Sequence, residues 1–218
     1  MVDDHLYHLR FSDDELRRAR RFWVPICRYL ERYIPADGAT LDLGAGYCHF
    51  INTVRSARKY ALDVHADNLA RWALPEVEQI VASGHRLPMF ATESLDTVFA
   101  SNVYEHFHTK EDVADSFREV YRTLRRGGRL IVMQPNFAYC SDRYFDFFDH
   151  RLAFTHRSMA EGLQSVGLRI VRMVPRCLPF TSKQRLPKAP WLVGLYLKLP
   201  LLWPILGAQM LLVAEKPR

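Results

Sequence analysis

The stretch Leu41-Asp-Leu-Gly-Ala-Gly-Tyr-Cys-His-Phe50 decides the fold. It begins as an apolar strand, passes an acidic residue and turns through two glycines before the chain continues. Gly44 and Gly46 allow a tight turn and let a ligand approach the backbone closely, because neither residue carries a side chain. A strand that ends in this way is typical of a parallel α/β sheet with its ligand at the carboxyl ends of the strands.

A second acidic residue follows at the end of the next apolar run, Tyr60-Ala-Leu-Asp63. A carboxylate there can accept hydrogen bonds from two ribose hydroxyls. Asp42, just before the glycine turn, suits a cationic or amino-bearing ligand better than a phosphate. S-adenosylmethionine has a sulfonium, an amino group and no phosphate. The two acids therefore predict a nucleoside-binding crevice.

A nicotinamide-binding oxidoreductase is the first rival interpretation. Its fingerprint needs a third glycine, so that a pyrophosphate can rest on the helix N-terminus. Counting from Gly44, that position falls on His49 in the G-x-G-x-x-G frame and on Cys48 in the G-x-G-x-G frame. Neither frame is complete, which makes the oxidoreductase the less favoured interpretation.

Three more segments further along the chain occur in the same order as the sequence motifs of a known family. They are Ser83-Gly-His-Arg-Leu-Pro-Met-Phe90, Leu95-Asp-Thr-Val-Phe-Ala-Ser-Asn-Val-Tyr-Glu-His106 and Leu124-Arg-Arg-Gly-Gly-Arg-Leu-Ile-Val132. With Leu41–Tyr47 and Leu62-Asp63, they resemble the ordered motifs of class I S-adenosylmethionine-dependent methyltransferases, of the type 11/23-like small-molecule group. The resemblance covers roughly residues 38 to 174 and the final strand near 209 to 215.

The resemblance implies a fold, a cofactor and a set of cofactor contacts. The fold is a doubly wound, Rossmann-like α/β sheet of seven strands, mostly parallel with an antiparallel last strand and with helices on both faces. The cofactor is S-adenosylmethionine. Asp42 and the glycine turn would hold its methionine part, and Asp63 its ribose. The implied cofactor residues are Asp42, Gly44, Ala45, Gly46, Asp63, Val64, Ser83, Gly84, His85, Ser101 and Asn102.

Two positions depart from the family pattern. Cys48 replaces the usual third glycine, and its small side chain still allows close packing. Ser83 stands where many relatives carry an adenine-contacting aspartate, so the adenine contact would fall to backbone groups of Gly84 and His85.

The coarse pattern predicts alternating helices and strands. Ser12 opens a capping-box helix that runs to about Tyr33. Predicted strands are 39–43, 58–63, 77–82, 95–101, 129–134, 168–174 and 209–214; predicted helices are 44–56, 67–74, 110–124 and 156–165, the last capped by Thr155.

Two stretches carry the candidate acceptor chemistry. His106 follows the fourth predicted strand, where an imidazole suits a general base, although we favour a structural role for it. Residues 134–150 hold six aromatic residues and three aspartates. They would hold an acceptor, with Asp149 and His150 taking a proton; the equally weighted alternative is a packed helix with Phe145 and Phe148 in the core. The predicted acceptor contacts are Tyr104, Tyr139, Tyr144 and His156.

Composition is that of one catalytic domain of 218 residues. We divide it into a helical cap (1–37), a cofactor-binding core (38–174), an acceptor-side insertion (135–160) and an apolar helix with the closing strand (175–218). Four cysteines without C-x-x-C spacing predict no metal site and no disulfide framework, and a reduced, cytoplasmic setting. The N-terminus lacks a signal-peptide pattern.

The charge pattern bears on partners. The net charge is +6, but the arginines at 17–21 share a helix with acids in its first turn, and no aromatic-basic pattern of an RNA-binding sheet is present. We therefore expect no nucleic acid partner. A second basic cluster favours an anionic or membrane-bound partner: Arg169, Arg172, Arg176, Lys183, Arg185 and Lys188.

Residues 190–214 form an apolar segment that Lys198, Pro200 and Pro204 interrupt, so a membrane span is not expected. We predict a short amphipathic helix followed by the closing strand. The helix has four open interpretations: ordinary packing, a lid, a dimer surface, or a peripheral membrane anchor through 190–206 with Trp191, Tyr196 and Trp203 at the interface. The oligomeric state stays open.

These patterns favour transfer of a methyl group to an oxygen or nitrogen of a small-molecule, sugar or lipid-linked acceptor. The alternative of another class is a non-catalytic binding or assembly partner that retains the fold.

Overall fold

The computed structural model describes residues 12–180 and 189–218, and within them seven strands form one sheet. Its order is β3-β2-β1-β4-β5-β7-β6. The strands are β1 (Ala39–Leu43), β2 (Arg58–Asp63), β3 (Val77–Val81), β4 (Leu95–Ser101), β5 (Leu124–Pro135), β6 (Arg169–Val174) and β7 (Gln209–Glu215). The first five are parallel, and β7 runs antiparallel to both β5 and β6. The predicted fold is confirmed.

The helices cover both faces of this sheet. They are α1 (Asp13–Leu30), α2 (Ala66–Trp72), α3 (Lys110–Thr123), α4 (Phe137–Cys140), α5 (His156–Ser165), α6 (Pro190–Leu197) and α7 (Trp203–Leu206). Every residue of β1 is buried, as expected for a central parallel strand.

Alternation along β5 shows how the two faces form separate halves of the core. Leu130 and Val132 pack in one cluster with residues of α3 and α5, such as Phe117 and Leu163. Ile131 and Met133 point to the opposite cluster, which takes in Cys27 and Leu30 of α1 and Leu197 of α6. The sheet is therefore covered on both sides by helices.

Three helices begin where side chains satisfy their first backbone N–H groups. Ser12, Thr109 and Thr155 each form a capping box with the residue three positions on. Such a cap typically stabilises by about 1 kcal/mol. The predicted starts of α1, α3 and α5 are confirmed by this geometry.

The predicted helix over 44–56 is wrong. Residues 44–56 form a succession of turns, and Cys48 has a φ of +56°. A non-glycine residue in the left-handed region interrupts a right-handed helix. Strand β5 also begins earlier than expected, at Leu124 instead of Arg129.

The C-terminal segment contains two short helices and a 3-10 turn before β7. The prediction that its helix is amphipathic is wrong, because α6 has the sequence Pro-Trp-Leu-Val-Gly-Leu-Tyr-Leu and is apolar on every side. In the described part of the chain, no helix has the length and apolar character needed to cross a membrane. Lys183, Arg185 and Lys188 of the predicted basic cluster, and the N-terminal pattern, lie outside the described residues.

Candidate active site

The chain reverses its direction across the sheet between β1 and β4, and the glycine turn lies at this switch point. The backbone N–H groups of Gly44 and Ala45 both donate to the carbonyl of Leu62, at 2.8 and 3.0 Å. Gly44 has a φ of +72°, and a Cβ atom there would lie 2.4 Å from Val103 Cγ2. Only glycine fits this position.

Gly46 serves a different purpose. Its φ is +49°, and no heavy atom lies within 4 Å of the place where a Cβ would stand. Its N–H donates to Asp63 Oδ2 at 2.7 Å, while Asp63 Oδ1 accepts from the N–H of His65 at 3.0 Å. The Asp63 carboxylate thus holds the backbone of Gly46 and of His65. Each of its two oxygens retains a second lone pair that can accept a hydrogen bond from a ligand.

Asp42 lies beneath this turn with 3% of its surface exposed. Burial raises its pKa well above the usual value, and the nearby charge of Asp63 raises it further, against a backbone hydrogen bond from Ile51. Two carboxyls held this close favour a positively charged ligand. Asp42 itself acts on such a ligand by charge and not by surface contact.

The remaining predicted cofactor residues lie on the loops that follow neighbouring strands. Val64 is 59% exposed next to Asp63. The Ser83 hydroxyl lies 2.6 Å from His85 Nδ1 in the loop after β3, and that loop is joined to β2 by a hydrogen bond from Ala82 N to Asp63 O. Asn102, after β4, has a φ of +50° and donates its side-chain amide to Ser101.

Sequence reasoning did not name Phe107 for this crevice. Its ring tip lies 3.4 Å from where a Cβ of Gly84 would be, so it joins the loop after β3 to the loop after β4. The sequence contained one signal for it, because Phe107 is the apolar residue directly after Glu105 and His106.

The structure brings the three predicted catalytic residues together. His106 Nδ1 lies 3.0 Å from the backbone carbonyl of Asp149 and 3.6 Å from its Oδ2. The rings of His106 and His150 are 5.3 Å apart. Glu105, which the sequence interpretation passed over, is completely buried beside them. The N–H groups of Arg151 and Leu152 donate to its backbone carbonyl and tie the insertion to the loop after β4.

Two predicted acceptor contacts lie in the core instead. Tyr104 is fully buried with its ring against Phe107 and Phe117. Tyr144 is also fully buried, and its hydroxyl donates to the Leu152 carbonyl at 2.6 Å. Neither ring has a free face for an acceptor, so the assignment of Tyr104 and Tyr144 as acceptor contacts is withdrawn.

Tyr139 and His156 form a second group of predicted acceptor contacts. Tyr139 is 41% exposed, its ring is stacked on His156, and the Arg176 guanidinium lies 4.9 Å from its centre. His156 Nδ1 faces the Asn136 amide at 3.0 Å, and burial lowers the pKa of His156. Both residues belong to the insertion, Tyr139 in α4 and His156 at the start of α5.

The alternative of a packed helix with Phe145 and Phe148 in the core is wrong. Phe148 is 84% and Phe145 59% exposed, whereas Asp149 is 1% exposed. The insertion has only the single turn of α4 and a 3-10 turn at Tyr144–Asp146. Of its three aspartates, Asp149 is buried beside His106, whereas Asp142 and Asp146 are exposed.

Comparisons with known proteins agree with this architecture. Residues 41–132 match the family model described as a methyltransferase domain. The matched segment is a methyltransferase domain of the class I S-adenosylmethionine-dependent type. The predicted family, fold and cofactor class, S-adenosylmethionine, are therefore confirmed.

The methyltransferase fold extends over the whole chain in solved structures. A chain of the complex between the Haloferax volcanii Trm112 methyltransferase activator and a methyltransferase has a TM-score of 0.70 at 17% identity, with 100% of both chains covered. An S-adenosylmethionine-dependent methyltransferase from Archaeoglobus fulgidus has a TM-score of 0.69 at 16% identity, covering 98% of this chain and 100% of its own.

A curated relative is less informative about activity. An uncharacterized protein of Methanocaldococcus jannaschii is 32% identical over 100 residues, which are 46% of this chain and 42% of that protein. The chain thus matches less than half of the length of this relative.

Proposed function

We propose that this methyltransferase transfers a methyl group from S-adenosylmethionine to an oxygen or nitrogen of an acceptor bound beneath the insertion. The observation that carries the proposal is Gly46, which has open space where a side chain would stand and donates its N–H to Asp63. A side chain at this position would occupy the space that a bound nucleoside needs. The residues present fit the cofactor, since two carboxylates match its sulfonium, its ammonium and its ribose hydroxyls.

Each part of the crevice has a proposed role. Asp63 accepts hydrogen bonds from the ribose hydroxyls, and the glycine turn with Asp42 holds the methionine end. Val64 and the backbone of Gly84 and His85 border the adenine, with Ser101 and Asn102 closing the side nearest β4. These assignments follow the positions of the loops at the carboxyl ends of the strands.

The protein contributes placement more than chemical activation. When bound, S-adenosylmethionine supplies a methyl carbon that is already activated by its positive sulfur. The chain aligns the acceptor with that carbon, excludes water and receives the proton that the acceptor releases. The imidazoles of His106 and His150 are the proton acceptors, and Asp149 orients His106.

The test is transfer itself. The protein is incubated with methyl-labelled S-adenosylmethionine and with extracts of its own source, and the labelled product is isolated. A labelled oxygen or nitrogen in a product that is absent without the protein supports the proposal. Cofactor binding with no labelled product in any extract favours the non-catalytic binding protein instead.

We further propose that the acceptor is lipid-linked and that the methyltransferase works on an anionic membrane surface. The segment 190–206 exposes large apolar side chains, from 38% for Leu206 to 88% for Leu201. We call this set the C-terminal apolar surface: Trp191, Leu195, Leu199, Leu201, Ile205 and Leu206. An exposed apolar patch of this kind marks an interaction site.

Positive charge beside this surface favours anionic lipid as its partner. A groove of about 1040 Å³ between α1 and the C-terminal segment is lined by Arg28, Arg32, Arg172 and Lys198, together with Trp191 and Leu195. No acidic residue lines it in the described part of the chain. Apolar area with adjoining cations is the combination that holds a protein at a charged bilayer.

Two of the three aromatic residues predicted at the interface are not there. Trp203 is 5% exposed and donates its indole N–H to the Tyr196 carbonyl. The Tyr196 hydroxyl donates to the Cys177 carbonyl at 2.8 Å. Trp191 alone of the three is exposed, at 68%.

A further inference from the structure

Glu105, His106 and His150 form a cluster whose geometry the proposed methyl transfer does not explain. Each offers one ligand atom, and the three atoms lie within 4.8 Å of one another. Glu105 and His106 follow β4, whereas His150 belongs to the insertion after β5. Only the folded chain brings them together.

The carboxylate of Glu105 is the unusual member. The residue is 0% exposed, and neither side-chain oxygen has a hydrogen-bond partner on another described residue. Buried carboxylate oxygens without a partner from another residue are costly and rare in native structures. Among the described residues no other residue supplies that partner, and a bound cation would do so.

His106 is already oriented as metal ligands usually are. Its Nδ1 lies 3.0 Å from the Asp149 carbonyl. When Nδ1 donates its hydrogen to that oxygen, Nε2 carries the lone pair and becomes the nitrogen available for coordination. Metal-binding histidines characteristically donate their other N–H to a carbonyl or carboxylate in this way.

The surroundings hold the three residues in place. Two backbone hydrogen bonds to the Glu105 carbonyl, from Arg151 N at 2.8 Å and Leu152 N at 3.1 Å, fix the separation between the two segments. The His150 ring lies against Phe147 and Tyr144, with centroids 5.0 and 4.6 Å away. Bound metal would therefore meet a preformed set of ligands.

We propose that Glu105, His106 and His150 bind one divalent transition-metal ion. Two imidazole nitrogens and one carboxylate suit Zn²⁺, Fe²⁺, Mn²⁺ or Co²⁺, whereas Mg²⁺ and Ca²⁺ prefer oxygen ligands alone. The prediction of no metal site rested on cysteine spacing, which does not register a site built from histidine and glutamate.

Three protein ligands leave coordination positions open on the acceptor side of the crevice. An acceptor hydroxyl that occupied one of them would lose its proton to solvent, because the metal lowers its pKa. The proton-accepting role proposed above for His106 and His150 applies to the metal-free site, and in the metal-bound protein both imidazoles would be ligands. This second step rests on the proposed function, whereas metal binding itself does not.

The test is a Co²⁺ titration of chelator-stripped, untagged full-length protein, followed by visible absorption. We expect one equivalent to bind, with no thiolate charge-transfer band, because none of the three proposed ligands is a cysteine. His150→Ala should weaken binding at least tenfold. His108→Ala is the matched control, since His108 is exposed and contacts Arg151 instead of the cluster, and it should bind as the wild type does.

Binding of S-adenosylhomocysteine, measured in parallel, reports whether each variant is folded and keeps the two proposals separate. No Co²⁺ absorption in the wild type, equal binding in a folded His150→Ala variant, or a thiolate band would overturn the metal site. None of these results would affect the cofactor crevice.

Discussion

At the residue scale, Asp63 combines two roles that the sequence presented as one. It was predicted as the ribose ligand, and the structure shows that it also accepts the N–H groups of Gly46 and His65. One side chain therefore both shapes the glycine turn and faces the open space next to it. That double role makes it the most informative residue to replace.

Asp63→Ala should weaken binding of S-adenosylhomocysteine by about 1.5–3 kcal/mol, roughly tenfold or more, because a charged acceptor of hydrogen bonds is lost. Isothermal calorimetry measures the change. Asp67→Ala is the control, an exposed acid in the first turn of α2. An affinity within twofold of the wild type for Asp63→Ala would show that Asp63 is not the ribose ligand.

Replacing Asp42 should change the stability of the protein and its affinity for the cofactor in opposite directions. A carboxyl whose pKa is raised by folding favours the folded state only while protonated, so this contribution is lost as pH rises above 3.8, the usual value, towards the raised pKa. Asp42→Asn should therefore raise the melting temperature of the ligand-free protein by a few degrees at pH 8 and change it little near pH 4. It should also weaken cofactor binding, because a negative charge is removed.

Thermal melts at both pH values, with Asp37→Asn as the control, check this expectation. Asp37 is exposed, and its replacement should give no pH-dependent difference. If Asp42→Asn melts below the wild type at pH 8, the electrostatic account of the acid pair is wrong.

At the scale of elements, the glycine turn and its neighbours explain where sequence prediction works and where it does not. Strands 39–43 and 95–101 were predicted to the residue, because continuous apolar runs bounded by turn residues leave little choice. The helix after the turn was wrong because Cys48, which stands where the family has its third glycine, was interpreted as a packing position and not as a residue with positive φ. Asp149 is buried against His106, over forty residues earlier in the chain, and a local sequence pattern does not predict such a distant contact.

Gly44→Ala tests the turn as an element. A side chain there meets Val103 at 2.4 Å and must also adopt a φ of +72°. The left-handed conformation alone costs about 1–2 kcal/mol, so both the melting temperature and cofactor affinity should fall. Adding Val103→Ala should restore part of the stability by removing the contact. Gly194→Ala in α6, where a Cβ meets only Pro25 at 3.5 Å, should be neutral or stabilising. Equal effects of the two alanines would contradict the role given to the turn.

At the scale of the whole molecule, the crevice and the C-terminal apolar surface are built by different parts of the chain. The surface and its groove include none of the predicted cofactor residues in the described ranges. The apolar composition of 190–206 was readable from the sequence. The sequence did not show which aromatic residues face outwards. Trp203 faces inwards, where its indole N–H donates to the Tyr196 carbonyl and its ring packs against Tyr29.

Vesicle co-sedimentation tests the membrane proposal. The protein should sediment with vesicles containing anionic lipid, less so as salt is raised, and Trp191→Ala with Leu201→Ser should reduce binding several-fold. Val81→Ser, which removes an apolar side chain 60% exposed on edge strand β3, should not. Protein that stays in the supernatant at low salt would exclude the membrane surface as the partner and leave the crevice unaffected.

The most direct measurement is calorimetric titration of the purified wild-type protein with S-adenosylhomocysteine and, separately, with NAD. The account predicts one S-adenosylhomocysteine site per chain and no binding of NAD, because the turn has a carboxylate beneath it and lacks the third glycine that a pyrophosphate needs. Binding of NAD without binding of S-adenosylhomocysteine would contradict the account.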